Sequence, residues 1–490
     1  MTGLDALRAR TRRLTPLAVA PGDYVLCWLM QALRADENPA IDAAVALGNR
    51  LGLPVVVLHA LEDRYPYASH RLHRFILEAS RELEPGVEAR GLRFVRWIRR
   101  APGEGGESEV DLVARLAARA AAVVCDDVPT FVTRDYADGL AGRTSRSVLG
   151  VDACCLVPMN AFPRHVRTTP AFRAAHTPLR AGHIATDTTQ TPDLPPFAGD
   201  LGIESEPLGD DAALDALIAA CGVDMTVPPA PGWSGARSAA LAQLGAAVAG
   251  VVPRYKWTRN NPALAGASAR LSPWMHVGVL SPREVARAVY DAEAAGSVSA
   301  DARWKFLDEA LTWREYYHHR CRHEANWARY SGLPDHARAT LDAHRADPRP
   351  ALYSLGELAR GETASESWNA AQKQFLLDGW MNNNLRMFWV KQIALWTPTP
   401  EAGFATACYL NDRFSLDGRD ASTYGGIRWG FGDAKPGYRE LPVLGWVGPK
   451  GDTAIRKRDG AAAWLAEQAA RPGLDVAIPD DSAEVFARYL

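Results

Sequence analysis

The chain has 490 residues and lacks the features of membrane, disulfide-rich and zinc-ribbon proteins. Its longest apolar stretch, residues 239–252, contains Gln243 and two glycines and is too short to cross a bilayer. The seven cysteines include no CxxC pair, so no metal site and no disulfide framework is predicted. Lys and Arg together number 55, and Asp and Glu together number 57. No overall charge excess therefore indicates nucleic-acid binding, which would need a local basic patch.

The N-terminus also lacks a secretion signal. Four arginines lie within residues 1–16, but only the short apolar run 17–20 follows before Pro21. Without an apolar h-region, no signal peptide is predicted, and a reducing bacterial-type cytoplasm is the expected location. The apolar fraction of 47% and the charged fraction of 23% are those of an ordinary soluble protein, here expected to be a monomer. The length indicates two to four domains.

Tryptophan is scarce in the first half of the chain and abundant in the second. Only Trp28 and Trp97 precede residue 230, whereas the other thirteen of the fifteen tryptophans lie in 233–490. The two halves are therefore under different structural or chemical demands.

The first part of the chain alternates β-branched runs with helical stretches. Five runs are candidate strands: residues 24–28, 55–59, 92–98, 122–125 and 153–157. Helical stretches at 40–51, 69–83 and 109–121 separate them. Continuous apolar strands between helices favour a parallel sheet that is covered on both faces. The prediction is a doubly wound α/β domain over residues 20–170.

The remaining sequence divides into a connector and a helical domain. Residues 171–232 are rich in Thr and Pro and contain one short helical candidate, 210–221, which predicts a connector lying over the surface. After residue 233 strand signals nearly disappear, and an all-α domain over 233–490 is predicted. Its helices are predicted at 234–250, 282–295, 300–326, 335–345, 366–378, 381–396, 399–409 and 460–471.

Three segments of the helical domain stand out. Trp389 and Trp396 are seven residues apart, so they share a helix face with a separation of about 10.5 Å along the axis. A buried aromatic stripe and an electron relay both fit that spacing. Residues 409–420, YLNDRFSLDGRD, follow an apolar helix and indicate either a loop around a polar ligand or a capped helix end with ion pairs. Residues 268–278, SARLSPWMHVG, indicate a helix start, where free N–H groups either bind an anion or are simply capped.

Taken together, these segments resemble the photolyase/cryptochrome flavoprotein family, most closely the class II cyclobutane pyrimidine dimer photolyases. The resemblance is carried by residues 368–372 (WNAAQ), 384–396 (NLRMFWVKQIALW) and 409–420, and by 28–38 (WLMQALRADEN) and 65–71 (YPYASHR) in the first half. It covers about residues 22–175 and 250–460. It implies an α/β antenna domain, a helical FAD-binding domain, and the light-driven splitting of pyrimidine dimers in UV-damaged DNA.

The resemblance implies a set of flavin-binding residues. Arg386 and Asp417 would form an ion pair under the isoalloxazine ring, with Asp417 facing the ring N3–H. Asn411 would lie at flavin N5, and Gly418 belongs to the same loop. The FAD phosphates would be held by Tyr255, Ser268, Leu271 and Ser272. A deazaflavin-type antenna chromophore is possible in the family, but no residue of this sequence requires one.

Residues for electron transfer, lesion binding and DNA binding are implied as well. Trp389, Trp368 and Trp396, in this order outward, match the class II electron-transfer triad. Glu309 matches the glutamate that hydrogen-bonds the dimer and, if protonated, would donate a proton to it. The dimer would be flipped out of the duplex into a pocket lined by Trp313, Asn383, Met387 and Trp429. The densest late basic cluster is the best candidate for phosphate contacts: Lys450, Arg456, Lys457 and Arg458.

The sequence departs from the class II pattern at residues 381–384, MNNN, where class II enzymes commonly carry Met-His-Gly-Phe. This segment is nearer to the Trp-Met-His-Asn of class I enzymes, with Asn382 in place of the histidine. Residues 312–317 likewise resemble class I. Three alternatives follow for function. A cryptochrome-type photoreceptor would share the flavin site without repair. A (6-4) photolyase relies on a histidine pair, whereas Asn382 and Asn383 occupy the matching positions and cannot deliver a proton. A helical DNA-binding protein with a decayed flavin site would be colourless.

Overall fold

The computed structural model describes residues 1–100, 106–437, 439–479 and 482–490. The chain forms two compact units. The first comprises residues 1–225, 233–249 and 270–322, and the second comprises residues 226–232, 250–269 and 323–490. Helical sequence from residues 233–249 and 270–322 packs within the first unit. Among the described residues, no helix combines the length and the apolar character that a membrane span needs.

A six-stranded sheet forms the centre of the first unit. Its strands are β1 (Thr11–Arg13), β2 (Tyr24–Leu29), β3 (Val55–Leu61), β4 (Arg93–Ile98), β5 (Ala120–Asp126) and β6 (Ser147–Val151). The order is β1-β6-β5-β2-β3-β4. Strands β2 to β6 are parallel, and β1 pairs with β6 in antiparallel orientation. Every residue of β2, β3 and β5 is buried, as expected for central strands between helical layers. The predicted doubly wound sheet is confirmed.

The helices around the sheet begin where the sequence supplies caps. They are α1 (Gly3–Arg10), α2 (Pro39–Leu51), α3 (His70–Ala89), α4 (Glu109–Ala117) and α5 (Phe131–Ala141). Asn38, Ser69 and Ser108 each accept a backbone N–H at the start of a helix. The three helices predicted in this region are confirmed, with α3 running six residues further than predicted.

The predicted strand at 153–157 is wrong, because its backbone N–H groups bind carboxylates. Asp152 accepts the N–H of Cys154 and Cys155 at 3.1 and 3.0 Å. Glu315 accepts the N–H of Leu156 and Val157 at 2.7 and 3.2 Å. A backbone whose donors are already used cannot join the sheet ladder, and the last strand is instead β6. The edge strand β1 was not predicted, since three residues carry no recognisable periodicity.

The predicted connector contains more helix than expected. Its predicted helix is observed as α8 (Asp211–Ala219), but α6 (Thr169–His176) and α7 (Arg180–Ala185) were missed. Much of the rest lies on the sheet domain. The ring of Phe197 packs against Tyr24 at 5.0 Å, and Leu201 is buried in the same core.

Helices make up most of the chain after residue 233. They are α9 (Arg237–Gly250), α10 (Tyr255–Thr258), α11 (Ser272–His276), α12 (Pro282–Ala294), α13 (Ala300–Leu307), α14 (Arg314–His323), α15 (Asp335–Ala343), α16 (Leu355–Arg360), α17 (Glu366–Asp378), α18 (Asn383–Trp396), α19 (Pro400–Phe414), α20 (Ala421–Gly430), α21 (Thr453–Arg456), α22 (Ala461–Ala470) and α23 (Ser482–Ala487). The described part of the second unit contains no extended strand, which confirms the predicted all-α character of this region.

Two of the helix predictions need correction. The predicted single helix 300–326 is interrupted between α13 and α14 by a π-helical segment, Asp308–Trp313. Such segments widen the helix and often occur at functional sites. Helix α19 continues to Phe414, so half of the segment predicted as a loop, 409–420, is helical. Its polar residues are therefore held by a regular backbone.

Candidate functional site

Three tryptophans of α17 and α18 form a continuous series of ring contacts. Trp368 stacks on Trp389 with ring centroids 6.3 Å apart and planes only 2° from parallel. Trp368 also meets Trp396 edge-on at 5.7 Å. Trp389 and Trp368 are at most 1% exposed, whereas Trp396 is 8% exposed. The structure therefore brings the three predicted residues together in the predicted order, with Trp368 from one helix joining two residues of the other.

Hydrogen bonds fix the orientation of the two inner rings. The Trp389 indole N–H donates to Gln372 Oε1 at 2.8 Å, and the Gln372 amide donates to the Ala359 carbonyl at 2.9 Å. The Trp368 N–H donates to the Trp389 carbonyl at 3.1 Å. Sequence reasoning gave no role to Gln372, although its position one turn after Trp368 places both on the same face of α17. Tyr353 packs edge-on against Trp396 at 5.3 Å and was also missed.

A buried ion pair joins α18 to the loop after α19. Arg386 donates from Nη2 to Asp417 Oδ1 at 3.3 Å and from Nη1 to Asn411 Oδ1 at 3.1 Å. Ser415 Oγ donates to the same Asp417 oxygen at 2.6 Å. Both side-chain contacts of Asp417 with the described residues therefore end on Oδ1, and Oδ2 can accept from a further donor. The three predicted flavin residues Arg386, Asn411 and Asp417 form one cluster.

The loop that carries Asp417 is tightly packed on α19. The Asn411 amide donates to the Gly418 carbonyl, and Thr423 Oγ1 donates to the same carbonyl at 2.6 Å. A Cβ at Gly418 would lie 2.4 Å from the Asn411 carbonyl oxygen, so only glycine allows this approach. Gly418 therefore shapes the site through its backbone.

Asp412, next to Asn411, anchors the C-terminal residues. It accepts from the hydroxyls of Tyr424 and Tyr489 at 2.6 and 2.8 Å. Burial raises the pKa of Asp412 to about 6, although both hydroxyls oppose the shift. Sequence reasoning missed this role, since nothing in the motif indicates contacts with residues 12 and 77 positions away.

The asparagine run at the start of α18 has a structural role. Asn382 is the N-cap and accepts the Asn384 N–H at 2.8 Å. Its amide donates to Ser268 Oγ at 2.7 Å, which fixes one of the predicted phosphate-binding residues. Asn383, predicted to contact the lesion, is exposed. Asn382 thus serves as a helix cap in this structure.

The other predicted phosphate-binding residues are distributed over both units. Tyr255 and Ser268 are half-buried residues of the second unit, with Tyr255 at the start of α10. Leu271 and Ser272 belong to the first unit, where Ser272 begins α11 and Pro273 occupies its first turn. The predicted helix start is confirmed, but α11 has only five residues. The role in phosphate binding stays a prediction.

Glu309 lies in the π-helical segment and forms an ion pair. Lys305 Nζ donates to Glu309 Oε1 at 2.5 Å and is 3.9 Å from Asp308 Oδ2. Glu309 therefore accepts a hydrogen bond in this structure, whereas the predicted proton transfer needs it as a donor. Asp308 itself is held by Arg173 at 2.7 Å. The partner Lys305, one turn earlier in the sequence, was missed.

The residues predicted to line the lesion pocket also belong to both units. Trp313 ends the π-helical segment of the first unit and packs against Tyr317 at 5.9 Å. Met387 and Trp429 belong to the second unit, where Met387 is buried and Trp429 is 37% exposed.

Trp429 lines a cavity of about 330 Å³ within the second unit. Lys391 Nζ lies 5.0 Å from the centre of its ring and donates to the Gly448 carbonyl. Burial lowers the pKa of Lys391 to about 8. Trp446, 43% exposed, and Lys435 line the same cavity. Aromatic faces with cations beside them are the groups that bind bases and phosphates of single-stranded nucleic acid.

The predicted basic cluster divides into two kinds of residue. Lys450 is half-buried and donates to Asn384 Oδ1; burial, with smaller effects of Arg458 and Lys391, lowers its pKa to about 8. Arg456 is exposed and paired with Glu366 and Asp452. Lys457 is exposed, and Arg458 donates to the Ala454 carbonyl at 3.3 Å.

Comparison with known proteins places this geometry in a family. The model of the DNA photolyase family matches residues 25–182. The chain is 31% identical over 455 residues to the deoxyribodipyrimidine photo-lyase of Oryza sativa subsp. japonica, covering 90% of this chain and 86% of that protein. It is 28% identical over 449 residues to the deoxyribodipyrimidine photo-lyase of Methanothermobacter thermautotrophicus, covering 89% of this chain and 92% of that protein.

Solved structures share the fold at lower identity. A class III photolyase from Agrobacterium tumefaciens matches with a TM-score of 0.63 and 18% identity, over 92% of this chain and 87% of that one. A cryptochrome from Synechocystis matches with a TM-score of 0.65 and 16% identity, over 92% of this chain and 89% of that one. With the sheet, the helical region and the near full-length similarity to the rice protein, the chain belongs to the photolyase/cryptochrome family.

Proposed function

We propose that this chain is a light-driven DNA repair lyase that splits cyclobutane pyrimidine dimers. The observation that carries the proposal is the 31% identity over 90% of the chain to a deoxyribodipyrimidine photo-lyase. The three tryptophans in contact and the buried Arg386–Asp417 pair support it, because a flavin-dependent mechanism needs an electron source and a charged group at the ring.

The buried polar cluster fits FAD by its donor and acceptor chemistry. Asp417 Oδ2 is available to accept from a ring N–H, and Arg386 keeps a cation beside it. Asn411 is oriented through its contacts with Arg386 and Gly418. We assign these three residues to the isoalloxazine ring and Tyr255 and Ser268, which lie in the same unit, to the phosphates. When bound and reduced, FAD supplies the light absorption and the electron that the dimer accepts.

The tryptophans keep the cofactor reduced in this proposal. Trp389 would be the residue nearest the cofactor, Trp368 would relay an electron inward from Trp396, and an external reductant in solution would resupply Trp396. Contacts of 6.3 and 5.7 Å between ring centres make each step short. The bond from Trp389 to Gln372 holds the inner ring in one orientation.

The substrate is a dimer turned out of the duplex, because a base inside the stack is unreachable. We assign Met387 and Trp429, both of the second unit, to the walls that receive it, and Lys391 and Lys450 to the phosphates. Lys391, which lies beside the Trp429 ring, suits the damaged strand, since stacking and charge attraction act together there.

The test is illumination of the purified chain with an oligonucleotide that contains one thymine dimer. Restored thymines in light, and none in darkness, are the expected result. A parallel reaction with a (6-4) photoproduct is expected to give no repair, because neither Asn382 nor Asn383 can deliver a proton. Flavin photoreduction without any repair would overturn the proposal in favour of a photoreceptor, and a colourless protein would overturn the flavin assignment as well.

Glu309→Gln is expected to lower repair per absorbed photon while the chain keeps its fold and flavin absorbance. The amide is nearly isosteric but cannot supply a proton, and it still offers a donor to a pyrimidine carbonyl. Dimer binding should therefore fall less than repair. The measurement is repair yield, dimer affinity and melting temperature in one preparation.

Lys305→Met is the matched control, because it breaks the same ion pair and leaves the carboxylate in place. The two side chains are only 17% and 22% exposed, so the pair is partly buried, and the two variants should lose a similar amount of stability. Equal repair in the two variants, with the same loss of stability, would leave Glu309 only the structural role of pairing with Lys305.

DNA affinity is expected to weaken as the pH rises from 7 to 9. Burial lowers the pKa of Lys391 and Lys450 to about 8, so each lysine carries its charge below that pH and loses it above. Each lysine that must be protonated contributes a decrease of up to about tenfold per pH unit above its pKa. Fluorescence anisotropy of a labelled dimer-containing duplex measures the effect.

Lys450→Met should reduce this pH dependence and lower the salt slope of log affinity by about 0.9 if one phosphate contact is lost. Arg456→Gln is the control, because arginine does not titrate in this range and Arg456 is already paired with two carboxylates. An unchanged pH profile in Lys450→Met would remove Lys450 from the DNA-binding surface.

A further inference from the structure

Two adjacent cysteines and an aspartate converge in the loop after β6. Cys154 Sγ and Cys155 Sγ are 3.8 Å apart, and Cys154 Sγ is 3.3 Å from Asp152 Oδ1. One ligand atom from each of the three residues lies within 4.8 Å of the others. Asp152 and Cys155 are buried, and Cys154 is half-buried. This group is not recognisable from the sequence, because its D-x-C-C spacing is not a CxxC pair.

The loop holds these side chains in place without a ligand. Asp152 accepts the backbone N–H of Cys154, Cys155 and Met159 at 3.1, 3.0 and 2.8 Å. The Arg10 guanidinium donates to the carbonyls of Asp152, Cys155 and Leu156. These bonds fix the Asp152 carboxylate and the backbone path that carries both cysteines.

The sulfur spacing matches a tetrahedral metal site. Two thiolates bound to one zinc ion at about 2.3 Å, with a tetrahedral angle between them, lie about 3.8 Å apart. The sulfur–oxygen distance of 3.3 Å fits a Zn–O bond of about 2.1 Å at an angle somewhat below tetrahedral. A disulfide fits less well: neighbouring Cα atoms are about 3.8 Å apart, whereas disulfides usually need at least about 4.4 Å.

We propose that Asp152, Cys154 and Cys155 form a binding site for a thiophilic d¹⁰ cation of the zinc class. The two thiolates and the carboxylate occupy three positions, and the half-buried side of Cys154 leaves the fourth to water. Binding releases the two thiol protons. The cation replaces the hydrogen bond that the Cys154 thiol donates to Asp152 Oδ1. Three anionic ligands on a divalent ion carry one net negative charge, which Arg314, bound to the Cys154 carbonyl at 2.6 Å, is placed to balance.

A bound cation would stiffen the connection between β6 and α14. The residues after Cys155, Leu156 and Val157, bind Glu315 of α14, and Arg314 of the same helix binds the Cys154 carbonyl. Because α14 directly follows the π-helical segment, the site lies next to the part of the first unit that carries Glu309 and Trp313. The inference does not depend on the proposed repair activity.

The test is a titration of the metal-free, reduced full-length chain with Cd²⁺, in which the sulfur-to-cadmium charge-transfer absorbance measures binding. A second titration adds Zn²⁺ as a competitor. One Cd²⁺ per chain and displacement by Zn²⁺ are expected. Cys154→Ser and Cys155→Ser should each weaken binding by at least about 100-fold, since loss of an outer partner alone costs about 10- to 100-fold. Cys221→Ser, which removes another thiol of the first unit, should bind like the wild type.

A second measurement separates ligand loss from misfolding. The melting temperature of each variant is recorded without metal and again with Cd²⁺. Wild type and Cys221→Ser should gain stability with the metal, whereas Cys154→Ser should start near the wild-type value and gain none. Absence of saturable charge-transfer absorbance in the wild type, or its persistence in the Cys154→Ser, Cys155→Ser double variant, would overturn the proposal.

Discussion

Replacement of Trp389 by phenylalanine is expected to abolish the photoreduction of oxidised FAD. Phenylalanine preserves much of the packing, but it is far harder to oxidise than indole, and Trp389 is the innermost of the three rings. Repair by chemically reduced enzyme should remain largely intact, because the relay is then not needed. The measurement is flavin absorbance under blue light with an external reductant, beside a repair assay of the prereduced protein.

The substitution also removes the donor to Gln372, so part of any loss can be structural. An unpaired buried acceptor costs about 1–3 kcal/mol, and melting temperature reports this effect separately. Trp464→Phe is the matched control, since Trp464 is another buried tryptophan of the second unit that lies outside the series. Photoreduction at the wild-type rate in Trp389→Phe would mean that electrons reach the flavin by another route.

The second large effect is expected from Asp417→Ala, which should lose most of its FAD. Among the described residues, the change leaves the buried Arg386 cation with the Asn411 oxygen as its remaining side-chain acceptor, and it removes the acceptor assigned to the ring N–H. Truncating one partner of a buried charge pair costs about 2–5 kcal/mol, which corresponds to roughly 30-fold or more in affinity. FAD content per chain after gel filtration, and the dissociation constant on reconstitution, give the result.

Asp417→Asn separates loss of the site from loss of the fold. Asparagine keeps the volume and one acceptor, so the chain should fold while flavin retention falls, because the charge that balances Arg386 is gone. Ser415→Ala, which removes only the neutral bond to Oδ1, should have a much smaller effect. Full occupancy in both Asp417→Ala and Asp417→Asn would place the flavin elsewhere.

The sheet could be predicted because its signal is local. Apart from His59 and Asp126, the residues in β2, β3 and β5 are apolar on both faces, and in the sequence they stand between helical stretches, so composition identifies them. The segment 153–157 has the same composition and is not a strand. Its donors bind Asp152 and Glu315, and Glu315 lies about 160 residues away in sequence. A long-range hydrogen bond of this kind leaves no local trace.

The tryptophan series shows the same contrast between local sequence signals and long-range contacts. The seven-residue spacing of Trp389 and Trp396 placed them on one helix face, and the resemblance added Trp368. Only the packing of α17 against α18 puts Trp368 in contact with both. The role of Gln372 depends on the same packing, because its Oε1 on α17 accepts the indole N–H of Trp389 on α18.

The sequence by itself determined the fold class, the family resemblance and the residue types of the proposed flavin-binding cluster, because these depend on periodicity and on short motifs. Tertiary structure alone decided which partners hold the predicted site residues: Lys305 pairs with Glu309, and Ser415 donates to Asp417. It also decided that Asn382 caps α18. It also decided that Asp152, Cys154 and Cys155 share one small volume. Side-chain partners depend on backbone paths and helix packing, which the chemistry of a single residue does not specify.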